Sequence, residues 1–266
     1  MAFTLITAEN GVKYFTSSII PVPHGFATRV GGVSRAAHTS SLNLAFGRGD
    51  DRETVLENLR LFTNAVGIEP ESVISHTQIH SSRVIYADET IRGEGYFVPT
   101  DDGCDGYVTD RAGVALGVKT ADCVPILFCD NTAHIIGAVH AGWRGTAAGI
   151  AAECVSKMCA LGADTSRICA AIGAAIHFCC YEVGEDFLES VASLAGADIA
   201  HEFIRKKDGR LHADIVGMNR RILTDAGLRE CNIDVCEHCT CCEPMLFHSH
   251  RASHGIRGTM LSVISL

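Results

Sequence analysis

No run of about 18 apolar residues occurs anywhere in this 266-residue chain, so no segment reads as a helix that crosses a bilayer. Nor do residues Met1 to Tyr14 show a basic cluster ahead of an apolar stretch, and no secretory signal is expected. Pro/Ser/Gly-rich linkers, low-complexity tracts and fixed-period repeats are missing too, which makes one domain over residues 1–266 the economical expectation. Positive charge is short: 22 Lys and Arg stand against 31 Asp and Glu, a formal charge of -9. That balance argues against coating nucleic acid or an anionic membrane, and leaves room for a local basic pocket that holds one phosphate. With 47% hydrophobic and 20% charged residues the chain is neither disordered nor fibrous.

Cysteine and histidine are abundant, at 13 each. An odd number of cysteines in a chain too large to need staples, with no export signal, points to a reducing cytosol. There cysteines serve as small hydrophobes, metal ligands or nucleophiles. Together with the histidines they make a transition-metal site worth seeking.

Periodicity predicts a helix over residues 50–65, with Val55, Leu59, Phe62 and Val66 on one side. A second is expected over residues 147–161, its stripe formed by Ile150, Cys154, Val155, Met158 and Leu161, with Gly162 as cap. Asp214 is placed to cap a third that ends near Ala226 and Gly227. Strands are expected at 84–87, 114–118, 124–129, 134–140 and 168–173. Close strand pairs with interspersed helices favour a mixed α/β domain over a parallel βαβ array.

The segment Thr120-Ala121-Asp122-Cys123 through Asp130, then Asn131-Thr132, then Ala133 through His140 reads as a hairpin. A two-residue Asn131-Thr132 turn pairs Asp130 with Ala133 and sets Cys123 directly opposite His140, with Cβ atoms about 4.5–5.5 Å apart. A thiolate and an imidazole so placed suit a shared Zn²⁺ or a Cys–His nucleophile pair, against the plainer reading of core cysteine and strand-end histidine. The following Ala141-Gly142-Trp143-Arg144-Gly145-Thr146 leads into a helix. Glycines permit close backbone approach, the helix start offers free N–H groups, and Arg144 adds a cation: anion-binding chemistry beside a metal, or an ordinary strand-to-helix turn. For a third ligand, spacing alone does not select His80 over His76 or His24.

At these residues the chain resembles a known family. Gln78-Ile79-His80-Ser81, Thr120-Ala121-Asp122-Cys123-Val124-Pro125 and Val139-His140-Ala141-Gly142-Trp143-Arg144-Gly145 are similar to motifs of the YfiH-like, laccase-domain family, also known as polyphenol oxidases or purine nucleoside phosphorylases. His24-Gly25-Phe26, Ser41-Leu42-Asn43-Leu44, Gly49-Asp50-Asp51, Cys180-Tyr181-Glu182-Val183, Asp214 with Asn219, and Cys239-Thr240 extend the similarity over roughly residues 20 to 260. The resemblance implies a single four-layer α/β/β/α domain with mixed β-sheets. It implies a zinc site at His80, Cys123 and His140, which would be the catalytic and metal-binding residues, and substrate or phosphate contacts at Asn43, Arg60 and Arg144. It further implies phosphorolysis of adenosine, inosine, guanosine and methylthioadenosine, deamination of adenosine, or, in an older assignment, copper-dependent oxidation of phenols. The fold is shared with a bacterial toxin that deamidates glutamine through a Cys–His pair. Departures from the family pattern at Gly173-Ala174-Ala175-Ile176-His177, His248-Ser249-His250-Arg251 and Asn58-Leu59-Arg60 fall on substrate range and phosphate contacts rather than on the metal ligands.

Three chemistries follow. A His–Cys–His zinc site leaves one position open for catalysis. A multicopper cluster needs several His-x-His motifs, and this chain has one, His248-Ser249-His250. A metal-free route uses Cys123 as nucleophile and His140 as base. Asp105 and Asp122 are candidates for acid–base work or for orienting a ligand histidine. Separately, Cys231, Cys236, His238, Cys239, Cys241 and Cys242 crowd one stretch, with zinc-compatible Cys-x-x-Cys spacings. A second metal there would draw its other pair from His248 with His250 or His254; the plainer reading is a cysteine-rich turn. Cys179-Cys180, being adjacent, are not expected to bridge each other.

Overall fold

The computed structural model describes residues 3–266. In chain order the elements are β1 (Phe3–Thr7), β2 (Lys13–Ser17), β3 (His24–Ala27), α1 (Arg52–Val66), β4 (Val73–Ile74), β5 (Val84–Tyr86), β6 (Gly106–Thr109), β7 (Ala115–Thr120), β8 (Val124–Asp130) and β9 (Ile135–Ala141). There follow α2 (Trp143–Ala147), α3 (Ile150–Ala160), β10 (Cys169–Ile172), β11 (Glu182–Val183), α4 (Glu185–Ala195), α5 (Ala197–Phe203), β12 (Ile204–Lys207), β13 (Arg210–Ala213), α6 (Ile215–Asp225), β14 (Ile233–Val235) and β15 (Met260–Ser265). One mixed sheet runs β1-β2-β3-β15-β7-β4, a second β14-β10-β8-β9-β6-β5, and a small third β11-β13-β12.

The central hairpin shows how layers arise. Both faces of β8 and β9 are buried. Leu127, Ile136 and Ala138 point one way, into the cluster of Leu116, Val118 and Leu261 from the first sheet. Val124, Ile126, Phe128 and Val139 point the other way, onto Ile150, Cys154, Val155 and Met158 of α3 and Val216 and Leu223 of α6. On the far side of the first sheet, Val55, Leu59 and Phe62 of α1 pack with Tyr14, whose ring meets that of Phe62 edge-on at 6.1 Å. Helix, sheet, sheet, helix is the expected mixed α/β order, and strands sandwiched on both sides read as continuous apolar runs.

Helix boundaries follow cap chemistry. Asp51 accepts from the Thr54 N–H at 2.7 Å and Gly67, at φ 81, ends α1. Asp214 caps α6 through the Gly217 N–H. The helix expected over residues 147–161 is α3, which starts three residues later at Ile150; a short α2 over Trp143–Ala147 precedes it, separated by Gly149 at φ 80. The expected stripe, Ile150 to Leu161, lies wholly on α3 and its C-cap, because left-handed Gly149 delays the start of that helix to Ile150.

The hairpin register also differs from expectation. Pro125, not Cys123, stands opposite His140, and Asp130 pairs with Ile135. The Asp130 carboxylate accepts from the Thr132 and Ala133 N–H groups at 3.1 Å each, which widens the loop to Asn131–His134, with only His134 left-handed at φ 53. A two-residue turn would have demanded positive φ at Asn131 and, in its type I′ form, at β-branched Thr132 as well. The slip is two residues, so the faces are preserved and Cys123 remains on the side of His140.

Candidate active site

His140 lies near the end of β9 and Cys123 immediately before β8, so the hairpin delivers both to one corner of the second sheet. Asp122 precedes the cysteine in a left-handed conformation, φ 91, which aims the chain back toward the sheet edge. Its carboxylate accepts from Thr240 Oγ1 and from the Arg251 N–H, both at 2.6 Å. His80 arrives from the loop between β4 and β5 and is itself left-handed, φ 57. The Gln78 amide pins that loop to β7, donating to the Lys119 carbonyl and accepting its N–H, each at 2.7 Å. Two non-glycine residues at positive φ, one a proposed ligand and one beside a proposed ligand, are local strain that the surrounding bonds hold in place.

Asp105 ties the two histidines together. It is fully buried, and its carboxylate accepts from the N–H groups of Ile79, His80 and Ser81, from Ser81 Oγ at 2.8 Å, and from His140 Nδ1 at 2.8 Å. Holding the proton on Nδ1 turns the His140 Nε2 lone pair toward the cavity, the usual carboxylate–histidine arrangement behind a metal. The ligand atoms of His80, Cys123 and His140 all fall within 4.8 Å of one another. Two donors on a common zinc, at about 2.3 Å for sulfur and 2.0–2.1 Å for nitrogen, lie no further apart than about 4.4 Å. Gly142 leaves the space open: a Cβ there would meet His80 at 2.9 Å, His140 at 3.4 Å and the Cys123 sulfur at 3.5 Å. The donor set and its glycine-lined hollow fit a single zinc ion.

Burial alone would push the Cys123 thiol up, but the His140 and His80 rings outweigh it and hold it down to about 6. Burial pulls the other way on His140, where the Cys123 thiolate and the Asp105 carboxylate win and raise it to about 9. Without metal the two form a thiolate–imidazolium pair at neutral pH. In metal-free protein, iodoacetamide should therefore modify Cys123 with a rate that climbs through a midpoint near pH 6. An ordinary thiol would respond near pH 8.5. Mass mapping of Cys123 across that range checks the point, and a rise confined to alkaline pH would refute it.

The three side chains open into a cavity of about 480 Å³ that also meets Phe46, Tyr96, Arg48, Arg52, Lys119 and Arg257. Lys119 donates to the Ser75 carbonyl at 3.1 Å, and Arg257 to the Gly258 carbonyl at 3.1 Å and to Thr259 Oγ1 at 2.7 Å. Arg52 binds the Tyr96 carbonyl and lies over the Phe46 ring at 5.0 Å. Among the described residues none of the four has a carboxylate within ion-pair distance. Burial lowers Lys119 to about 8, with Arg48 adding to the effect. A chain with net charge -9 thus concentrates uncompensated cations in the hollow beside its histidines. A second cavity, about 260 Å³, shares His80, Cys123 and Arg257 and is lined by Trp143, Ile176, Tyr181, Ile215 and Arg251.

The anion contacts expected from the sequence lie elsewhere. Arg60 is on the solvent side of α1, 3.7 Å from Glu57. It follows Arg52 by eight positions, about 12 Å of helix, and it is Arg52 that reaches the cavity. Arg144 is exposed and stacks on Trp143, 4.2 Å from the ring. Asn43 is fully buried with its amide committed to Ala45, Asp50 and Thr259, so it shapes the wall without lining it. Lys119, Arg48, Arg52 and Arg257 carried no motif; Lys119 alone left a trace, a charge in an otherwise apolar strand.

Fold and site together define a mixed α/β protein with one His–Cys–His centre at the mouth of a basic cavity. The chain belongs to the YfiH-like, laccase-domain family: residues 23–266 match the family described as multi-copper polyphenol oxidoreductase laccase. It is 37% identical over 256 residues to a purine nucleoside phosphorylase of Deinococcus radiodurans, covering 96% of this chain and 94% of that one. Adenosine deaminase RL5, from an unknown prokaryotic organism, is 36% identical over 233 residues, 85% of this chain and 87% of its own. Among solved structures, Bacillus licheniformis hypothetical protein YfiH superposes with a TM-score of 0.86 at 31% identity, covering 100% of this chain and 96% of that one. No helix is long and apolar enough to cross a membrane among the described residues.

Proposed function

We propose that this chain is a zinc-dependent purine nucleoside enzyme. It transfers the glycosyl group of adenosine, inosine, guanosine or methylthioadenosine to phosphate, and it deaminates adenosine. The observation that carries this reading is the convergence of His80, Cys123 and His140 with four carboxylate-free cations on one cavity. The names borne by the relatives agree with it. His80, Cys123 and His140 hold the zinc, which supplies a Lewis acid when bound. Asp105 keeps the His140 proton on Nδ1. Arg48, Lys119 and Arg257 gather the phosphate, whose oxygen forms a bond to C1′ as the bond from C1′ to the base breaks; the base leaves with the electron pair and takes a proton. Phe46, partly exposed at the cavity wall and backed by the buried Tyr96 ring, offers aromatic surface to the purine. Thirteen free thiols suit a reducing cytosol.

Product analysis by mass spectrometry tests the reading. Adenosine with phosphate should give adenine and ribose 1-phosphate, and adenosine without phosphate should give inosine. A Lys119→Met variant should raise KM for phosphate about 10-fold, the scale of one charge-assisted bond, and leave inosine formation near wild type. If metal-loaded wild type yields neither product, the reading fails. The copper alternative draws on the family description; the lone His-x-His cannot build a cluster here, because the His248 ring is buried against Gly258 and lies outside the ligand set.

A further inference from the structure

We propose that Cys179, Cys180, Cys239 and Cys242 form a second metal site, structural rather than catalytic, which binds one tetrahedrally coordinated zinc ion and fixes the wall of the smaller cavity. All four sulfurs lie within 4.8 Å of one another, with Cys242 3.5 Å from Cys179 and 3.3 Å from Cys180. Four thiolates on one zinc at about 2.3 Å stand about 3.8 Å apart in a tetrahedron. A disulfide brings its two sulfurs to about 2.05 Å, far closer than the 3.3 and 3.5 Å found between Cys242 and its two neighbours. A four-sulfur donor set is soft and closed, the pattern of a structural zinc or a mononuclear iron, and it leaves no position for substrate. The His177 N–H donates to Cys239 Sγ at 3.4 Å, as backbone amides do toward metal-bound thiolates. Cys179 and Cys242 are exposed, and bare exposed thiols are a liability that a metal removes.

The Cys-x-x-Cys at Cys239 and Cys242 was legible in the sequence, but its partners are the adjacent pair Cys179-Cys180 from another loop, not His248, His250 or His254. Adjacency forbids an easy disulfide between neighbours; it does not forbid two neighbours from facing one ion.

The position of this site gives it a task. It clasps the loop after β10 to the loop after β14, already joined where the Thr240 N–H meets the Ala175 carbonyl at 2.9 Å. Thr240 Oγ1 holds Asp122, the residue before Cys123. Arg251 donates its backbone N–H to Asp122 and its Nη1 to the Cys180 carbonyl at 3.2 Å. Tyr181, next in the chain to Cys180, and Arg251 both line the smaller cavity. Zinc at the four cysteines therefore anchors the strut that supports the strained turn at Asp122.

Elemental analysis of protein purified without added metal tests this. Wild type should carry two zinc ions per chain. Cys123→Ser and the double variant Cys179→Ser/Cys242→Ser should each carry one, lost from different places. Cobalt added to metal-free Cys123→Ser should give sulfur-to-cobalt charge transfer with tetrahedral visible bands, and cobalt added to the triple variant should not. One iron in place of zinc in Cys123→Ser supports the same four-sulfur site. The proposal is overturned if Cys123→Ser, folded by circular dichroism, holds no metal, or if its intact mass shows a Cys180–Cys242 disulfide. If the double variant does not fold, thiol titration of Cys123→Ser decides: the four clustered cysteines should become reactive when a strong chelator is added, and no such change would end the proposal.

Discussion

Cys123→Ser should lose the metal from the histidine centre and more than about 100-fold of nucleoside turnover, beyond what loss of a mere supporting group around a metal costs. Serine keeps the size of the side chain and its place before β8, so the hairpin and Asp122 contacts survive. What disappears is the donor that burial disfavours as an anion and that two imidazoles hold ionised near pH 6. A serine hydroxyl cannot be deprotonated by that field, and two histidines alone make a poor zinc site. The same substitution would silence a Cys–His nucleophile, so the variant needs a companion measurement. Chelation of wild type should abolish turnover, and zinc should restore it. Chelated protein that still turns over, and then dies on alkylation of Cys123, would replace the metal reading with the covalent one. A Cys123→Ser protein that is metal-free and fully active would remove both.

How far the sequence reached depended on the range of the interactions. Short-range chemistry was readable: Asp214 as the cap of α6, and the apolar stripes of α1 and α3. The face shared by Cys123 and His140 was also readable, because strand alternation survives a register slip of two. The register itself was not, since it turned on the buried Asp130 carboxylate wrapping the loop N–H groups. The later start of α3 was hidden because glycine takes either sign of φ, and nothing local declares that Gly149 is left-handed. Choosing His80 over His76 rested on resemblance. The structure adds the cause: His76 is buried with its ring 2.8 Å from Glu94, while the His80 loop wraps Asp105. The cations of the cavity were least legible. Arg144 sat beside a glycine turn at a helix start, a local pattern that suggests an anion, yet Arg48, Arg52, Lys119 and Arg257 meet only because α1, β7 and the segment before β15 converge in space.

Asp105→Asn should be the most damaging single change that leaves the three proposed metal ligands themselves unaltered. The carboxylate receives five donors, three of them consecutive main-chain N–H groups that have no strand to pair with. Asparagine replaces one acceptor oxygen with an NH₂ that points donors at donors, inside a site with no solvent access. Breaking one side of a buried, hydrogen-bonded charge costs about 3–5 kcal/mol, read as a lower urea midpoint with an unchanged slope. Metal affinity should fall about 10–100-fold as the His140 tautomer and the His80 loop loosen together. The pH dependence has a definite sign. Burial works to raise the Asp105 pKa, but His140 and the Ser81 donors outweigh it and hold it below the ordinary carboxyl value. Its contribution is therefore present above the unfolded value of about 3.9 and is lost as pH falls through the lower folded value. The share of the stability gap between wild type and Asp105→Asn that comes from the Asp105 charge should be present near pH 6 and shrink in that acid range, while the share that comes from protonated His140 fades as pH rises toward 9. A gap that stays constant down to the acid transition would mean that hydrogen-bond count, and not charge, is what Asp105 supplies. No loss of stability at neutral pH would mean that the loop carrying His80 is held by other contacts.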